Sequence, residues 1–181
     1  MQTDIIMAGF GGQGILLIGK MLAYAGMQEG KEVSWLPSYG PEMRGGTCNC
    51  TVVVSDHPVG SPVVRSPKVV IAMNRPSLDK FEPMIRKDGL LLINSSLIDR
   101  KAERKDLDVL YIPANQIAIE CGSPKAANMV ALGALAGKTD MVTIESLKAT
   151  IDETFAGKDK IIQLNYKALD RGYALGKGGK A

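Results

Sequence analysis

The chain has 181 residues, 45% apolar and 23% charged, with a net charge of +3. That length suits one domain with a real core and is short for two. So small a charge gives no reason to expect nucleic acid or a membrane surface as a partner.

The first predicted element is a buried strand, Ile5-Ile6-Met7-Ala8, running into the turn Gly9-Phe10-Gly11-Gly12-Gln13-Gly14 and then into a helix. That helix, Ile15 to Met27, is apolar nearly all round apart from Lys20, and Gly30 is placed to end it. A helix without a polar face is buried on more than one side, under a crowded core or a partner subunit. Glu32 to Leu36 reads as a short second strand, followed by a loop, Pro37 to Gly46, too rich in Gly and Pro to be regular. Thr47 to Ser55 alternates and is β-branched, so it is a strand, with Asp56-His57-Pro58 turning the chain. Val69 to Met73 reads as another buried strand. Asn74-Arg75-Pro76-Ser77 opens a helix whose inner face is Leu78, Phe81 and Ile85. Lys87-Asp88-Gly89 turns into the strand Leu90 to Ile93, and a charged connection, Asp99 to Asp108, leads to Val109 to Ile112.

The last third is helical. Pro124 to Gly137 is rich in Ala and Gly, which lets another backbone come close. Thr143 to Phe155 carries Ile144, Leu147, Ile151 and Phe155 at helical spacing, and Ile162, Tyr166, Leu169 and Tyr173 form one more stripe. Residues 176–181 place Lys177 and Lys180 among glycines and are expected to fray. Without repeat or linker, 1–181 reads as a single domain. Roughly four or five buried strands interleaved with helices predict an α/β fold, a three-layer Rossmann-like sandwich with a mostly parallel sheet. The hairpin-like strand before His57 makes that sheet mixed.

No run approaches the roughly 18 consecutive apolar residues of a membrane span. Met1-Gln2-Thr3-Asp4 leads directly into the first strand, so no signal peptide is expected. The three cysteines are odd in number and lack the spacing of a disulfide framework, which predicts a reduced, cytoplasmic setting.

The glycine turn carries the strongest chemical signal. Gly9, Gly11 and Gly14 fit the G-x-G-x-x-G pattern between a strand and a helix, where free N–H groups and the positive end of the helix dipole converge on one point. A phosphate or carboxylate fits there. Gly14 to Met21 also spells most of a P-loop, but Met21 replaces the Mg²⁺-binding hydroxyl and four aliphatics fill the cradle. A nicotinamide site needs an acid at the end of the second strand, whereas Leu36 is followed by Pro37-Ser38-Tyr39. Cys48 and Cys50 lie two apart on one strand, too few and too close for a cluster, and read as core or interface thiols. His57, the lone histidine, reads as a solvated turn residue. No catalytic set and no metal site stands out. Arg44, between Glu42 and Gly45-Gly46, is the one residue suited to bidentate anion binding, and an ion pair with Glu42 is the plainer reading of it.

With Gly9-Phe-Gly-Gly-Gln-Gly14 at the first turn and Ser38-Tyr39-Gly40-Pro41-Glu42-Met43-Arg44-Gly45-Gly46 after the second strand, the chain resembles the gamma subunit of 2-oxoacid:ferredoxin oxidoreductases. The resemblance extends over essentially the whole chain, including Ser66-Pro67 and the segment Asn128 to Gly133. It implies a component of an enzyme that oxidatively decarboxylates a 2-oxoacid onto coenzyme A. It further implies that thiamine diphosphate and [4Fe-4S] clusters sit in partner subunits, alpha, beta and a ferredoxin-like delta, with electrons passing to ferredoxin. No cofactor is expected on this chain alone. The Tyr-Gly-Pro-Glu-x-Arg-Gly-Gly form is similar to that of 2-oxoglutarate and branched-chain 2-oxoacid enzymes. The pyruvate enzymes' form is one from which Tyr39 and Met43 depart. Gly9, Gly11, Gly12, Gln13, Gly14, Ser38, Tyr39, Glu42, Arg44, Gly45 and Gly46 are the expected cofactor-binding or subunit-interface residues. A free-standing NAD-type protein and a purely structural scaffold are the alternatives.

Overall fold

A computed structural model describes residues 1–38 and 46–178. Its strands are β1 (Gln2–Phe10), β2 (Glu32–Ser38), β3 (Thr47–Ser55), β4 (Val69–Ala72), β5 (Leu90–Asn94) and β6 (Asp108–Ile112). They form one sheet of order β2-β3-β1-β4-β5-β6. β3 runs antiparallel to both β1 and β2, and the pairs β1–β4, β4–β5 and β5–β6 are parallel. The sheet is therefore mixed and mostly parallel, as the strand patterns predicted.

Alternation along the strands builds two cores. Ile5, Met7, Val69, Ile71, Leu90 and Leu92 face one side, and Ile6, Ala8, Val70, Ala72, Leu91 and Ile93 the other. Both sides are covered, which is why these strands read as continuous apolar runs. The helices are α1 (Ile15–Gln28), α2 (Arg75–Phe81), α3 (Ala114–Cys121), α4 (Ala127–Thr139), α5 (Ile144–Thr154) and α6 (Asp159–Gly176). α1 and α3 to α6 lie on the first side and α2 on the second, through Leu78 and Phe81. α1 buries Ile15, Ile18, Met21, Leu22 and Ala25, while Lys20, Tyr24 and Met27 remain exposed.

The structure adds to or departs from the sequence expectation at four points. β2 runs on through Pro37 to Ser38, because an edge strand tolerates a residue without an N–H on its free side. α3, where the sequence patterns assign no element, is a helix with Ala114, Ile117, Ala118 and Cys121 on its buried face. On α6 the stripe of Ile162, Tyr166, Leu169 and Tyr173 packs against the core, Leu169 fully and the other three in part. Asn165, Ala168, Gly172, Leu175 and Gly176 are buried beside it, because Gly172 and Gly176 let α6 approach α4 backbone to backbone. Of the tail 176–181, Gly176 is buried within α6 and Lys177 Nζ pairs with Asp140 at 2.5 Å, so these two residues are held in place. Residues 179–181 lie outside the described residues.

Two carboxylates fasten the periphery. Glu82, 2% exposed, accepts from Arg100 Nη2 at 2.8 Å and from the Glu103 and Arg104 amides at 2.6 and 2.9 Å, which anchors the charged connection. Glu29, just past α1, accepts from the amide and hydroxyl of Thr143 at 2.6 and 2.9 Å and pairs with Lys31, tying α1 to the start of α5. Burial would raise its pKa, but the hydrogen bonds from Thr143, Lys31 and Ser146 outweigh it and hold the carboxyl at about 2.

Candidate functional site

β1 and β4 are neighbours, yet their helices leave to opposite faces, α1 to one side of the sheet and α2 to the other. In an open α/β sheet this is where a crevice opens beyond the strand ends and ligands bind. The glycine turn lies at that point.

Each turn residue has a local reason. Gly9 is buried, and a Cβ there would come within 2.5 Å of Gln13 Oε1 and 2.9 Å of Ile15 Cδ1. Gly12 has a φ of +95° and faces open space, and Gly14 caps α1 with a φ of +71°. Gln13 braces the turn: its Oε1 accepts from the Phe10 amide at 2.6 Å, and its Nε2 donates to the Met73 carbonyl beyond β4 at 3.3 Å. Gly11 donates its amide to the Gly46 carbonyl at 3.1 Å. No side chain caps α1, its first turn holds no acid, and the amides of Ile15, Leu16 and Leu17 find no acceptor among the described residues. Those donors and the helix dipole are left for an external anion.

Of the second motif, Ser38 and Gly46 are described, whereas Tyr39, Glu42, Arg44 and Gly45 lie outside the described residues. The glycine turn follows β1 and the second loop follows β2. In the sheet, β3 separates β1 from β2. The hairpin returns with Thr47 opposite Phe10, so Gly46 touches the glycine turn, while the exposed Ser38 sits across β3, opposite Asn49.

Two cavities flank the turn. The larger, about 650 Å³, has apolar walls that include Leu17, Met129, Phe155 and Leu164, and polar groups from Gly14, Asn128 and Asn165. The smaller, about 190 Å³, runs over the end of β4 past Gln13, Met73 and Asn115. Asn128, 4% exposed at the start of α4, donates Nδ2 to the Gly14 carbonyl at 3.3 Å. Asn165 is 6% exposed and lines the larger cavity, and its side chain makes no hydrogen bond with another described residue. Its side-chain amide is open to the cavity, where a ligand can hydrogen-bond it. Lys125 and Lys160 stand at the rim. Asn128, Asn165 and the two lysines were not among the expected site residues. The available signals were a lone Asn opening an otherwise small-residue helix and an Asn interrupting the buried face of α6.

The cysteines take the core role expected of them. Cys48 and Cys50 pack into the core beneath α1, and burial pushes the Cys50 thiol up to about 12. Thiols held protonated in a packed core do not suit cluster ligation. His57 is exposed in its turn, as expected.

A family model described as pyruvate ferredoxin/flavodoxin oxidoreductase matches residues 4–175. Ketoisovalerate oxidoreductase subunit VorA of Methanothermobacter marburgensis is 45% identical over 173 residues, which cover 94% of this chain and 36% of that protein. The chain thus spans about a third of that relative. Among solved structures it is similar to the gamma subunit of keto/oxoacid ferredoxin oxidoreductase from Geobacter sulfurreducens. There the TM-score is 0.84 at 27% identity, over 98% of this chain and 99% of the other. It is also similar to 2-oxoglutarate:ferredoxin oxidoreductase from Magnetococcus marinus with 2-oxoglutarate, coenzyme A and succinyl-CoA bound. That match has a TM-score of 0.90 at 26% identity, over 99% of this chain and 32% of the other.

Proposed function

The chain belongs to the pyruvate ferredoxin/flavodoxin oxidoreductase family, and we propose that it is the gamma-type subunit of a complex that oxidatively decarboxylates a 2-oxoacid onto coenzyme A. In this reading its crevice holds coenzyme A. The observation that carries it is the convergence of an uncapped helix terminus, two buried asparagines and two rim lysines on one partly apolar cavity. Phosphates suit the free amides and the lysines. An adenine ring suits the apolar walls, and Asn165 can hydrogen-bond its edge.

Thiamine diphosphate and [4Fe-4S] clusters belong, in this proposal, to alpha, beta and ferredoxin-like delta partners, with ferredoxin as the electron acceptor and the cytoplasm as the setting. This chain's own contribution is to bind and orient the acyl acceptor. The loop Tyr39 to Gly46, with Ser38, Glu42, Arg44 and Gly45, would face the same ligand or the catalytic partner, since Gly46 adjoins the glycine turn. 2-Oxoglutarate is the proposed substrate, on the form of that loop and the likeness to a 2-oxoglutarate enzyme. The 45% identity to a ketoisovalerate subunit favours a branched-chain 2-oxoacid as the second reading.

Reconstitution tests both. The isolated chain should be colourless and inactive, and adding the partner subunits should give dye reduction that requires both a 2-oxoacid and coenzyme A. Rates with 2-oxoglutarate against 3-methyl-2-oxobutanoate decide the substrate. Turnover by the chain alone would overturn the subunit reading.

A further inference from the structure

Lys125 stands where the two cavities meet. Both are walled by Gly12 and Lys125, so a ligand that occupies both lies against these residues. The backbone at this point is fixed: Gly122 ends α3 with a φ of +114°, Ser123 donates its amide to the Ala118 carbonyl at 3.0 Å, and Ser123 Oγ accepts from the Lys125 amide at 3.3 Å. Three lysines of the helical layer are paired, Lys138 with Asp108 at 3.0 Å, Lys148 with Asp170 at 2.8 Å and Lys177 with Asp140 at 2.5 Å, whereas Lys160, which lines only the larger cavity, is in no ion pair among the described residues. Lys125 has no carboxylate partner among the described residues, although it is held on a capped turn facing the uncapped end of α1.

The cavities differ in what they admit. The larger, about 650 Å³, lies within the usual range of small-molecule sites, roughly 300 to 1,000 Å³, and has flat apolar walls with one unpartnered amide. The smaller, about 190 Å³, lies below that range and suits a slender chain better than a ring system. Between them, Gly12 presents bare backbone, the α1 terminus presents N–H groups and Lys125 presents a mobile cation, which together match a doubly charged diphosphate.

We propose that Lys125 is a specificity-determining residue that clamps the diphosphate of the acyl acceptor against the α1 terminus, with the nucleoside in the larger cavity and the thiol-bearing chain in the smaller one. This rests on the crevice being the coenzyme A site. The residue then decides whether the complex favours a nucleotide-linked thiol over the bare chain.

The test compares kcat/KM of the assembled complex for coenzyme A, dephospho-coenzyme A, which keeps the diphosphate, and pantetheine, which lacks every phosphate. Wild type should prefer both diphosphate thiols to pantetheine by a large factor. Lys125→Ala should lower both preferences at least tenfold, with its melting temperature unchanged, and Lys125→Arg should retain most of them. Equal loss for all three thiols would mean that Lys125 acts through fold or assembly, and would overturn the inference. A loss for coenzyme A that spares dephospho-coenzyme A would overturn the diphosphate assignment. A wild-type preference that survives Lys125→Ala would overturn the Lys125 role and leave the crevice reading standing. A wild type without preference would overturn the crevice reading, and the inference with it.

Discussion

Gly133 and Gly137 of α4 face Gly172 and Gly176 of α6, whereas Gly12 and Gly14 form the turn that opens α1. At the helix seam the glycines are there for what a Cβ would strike: at 172 it would run into the Val130 carbonyl, and at 133 into that of Leu169. At Gly12 nothing lies within 4 Å, and the need is for a positive φ and a bare surface. One region uses missing side chains to exclude solvent and lock two backbones together. The other uses them to leave backbone donors open. The same residue type thus marks a structural contact in one place and a recognition surface in the other, and only the neighbours tell them apart.

Gly172→Ala should have the largest effect. The added methyl meets backbone that cannot swing aside, so α4 and α6 must separate. We expect a loss of about 3 kcal/mol in chemical denaturation, at the upper end of overpacking costs. A loss below about 1 kcal/mol would show that the helices can slide apart cheaply, and the contrast with the turn would weaken.

Gly14→Ala is intermediate. It combines strain at a φ of +71° with a clash against the Asn128 amide, a side chain that can move. We expect a cost of about 1 to 3 kcal/mol. Calorimetric titration should show weaker coenzyme A binding by the assembled complex, beyond what Gly172→Ala causes in the folded fraction. Equal binding in the two variants would remove the distinction between seam and turn.

The smallest effect sharpens the comparison from a third place. Glu29 clamps α1 to α5 through Thr143 and has its pKa depressed to about 2 from an ordinary 4.5. A carboxyl depressed by folding contributes stability that is fully present above its unfolded value and lost as pH falls towards the folded one. The wild type should therefore lose stability relative to Glu29→Gln as pH falls from about 5 to about 2. Above that window the gap between the two should be constant. Ligand binding at neutral pH should match wild type in Glu29→Gln, since the clamp lies at the other end of α1 from the turn. A difference in acid sensitivity of zero would show that the clamp contributes nothing to folding.

How much was legible varies by element. Alternation and β-branching bound Thr47–Ser55 correctly, and the glycines place a tight turn at Gly9 to Gly14 between strand and helix. β2 was cut short at Leu36 because Pro37 reads as a breaker, a rule that an edge strand escapes. The short helix Ala114–Cys121 went unread beside the longer helices, although its buried residues recur at helical spacing. On α6 the apolar stripe marks residues that pack on the core, whereas the glycines that meet α4 carry no hydrophobic signal.

What the sequence by itself determined were properties of single segments: which strands are buried on both faces, where a turn needs glycine, and that Cys48 and Cys50 belong to the core. Periodicity reports which face of an element is buried but not what buries it, so everything that depended on neighbours waited for the tertiary structure. The insertion of β3 between β1 and β2 brought Gly46 to the glycine turn and left Ser38 across the strand. Packing of α4 and α6 carried Asn128 and Asn165 to the cavity beside Gly14, from positions more than a hundred residues along the chain. Long-range placement of this kind comes from the joint packing of both sheet faces, and no local pattern encodes it.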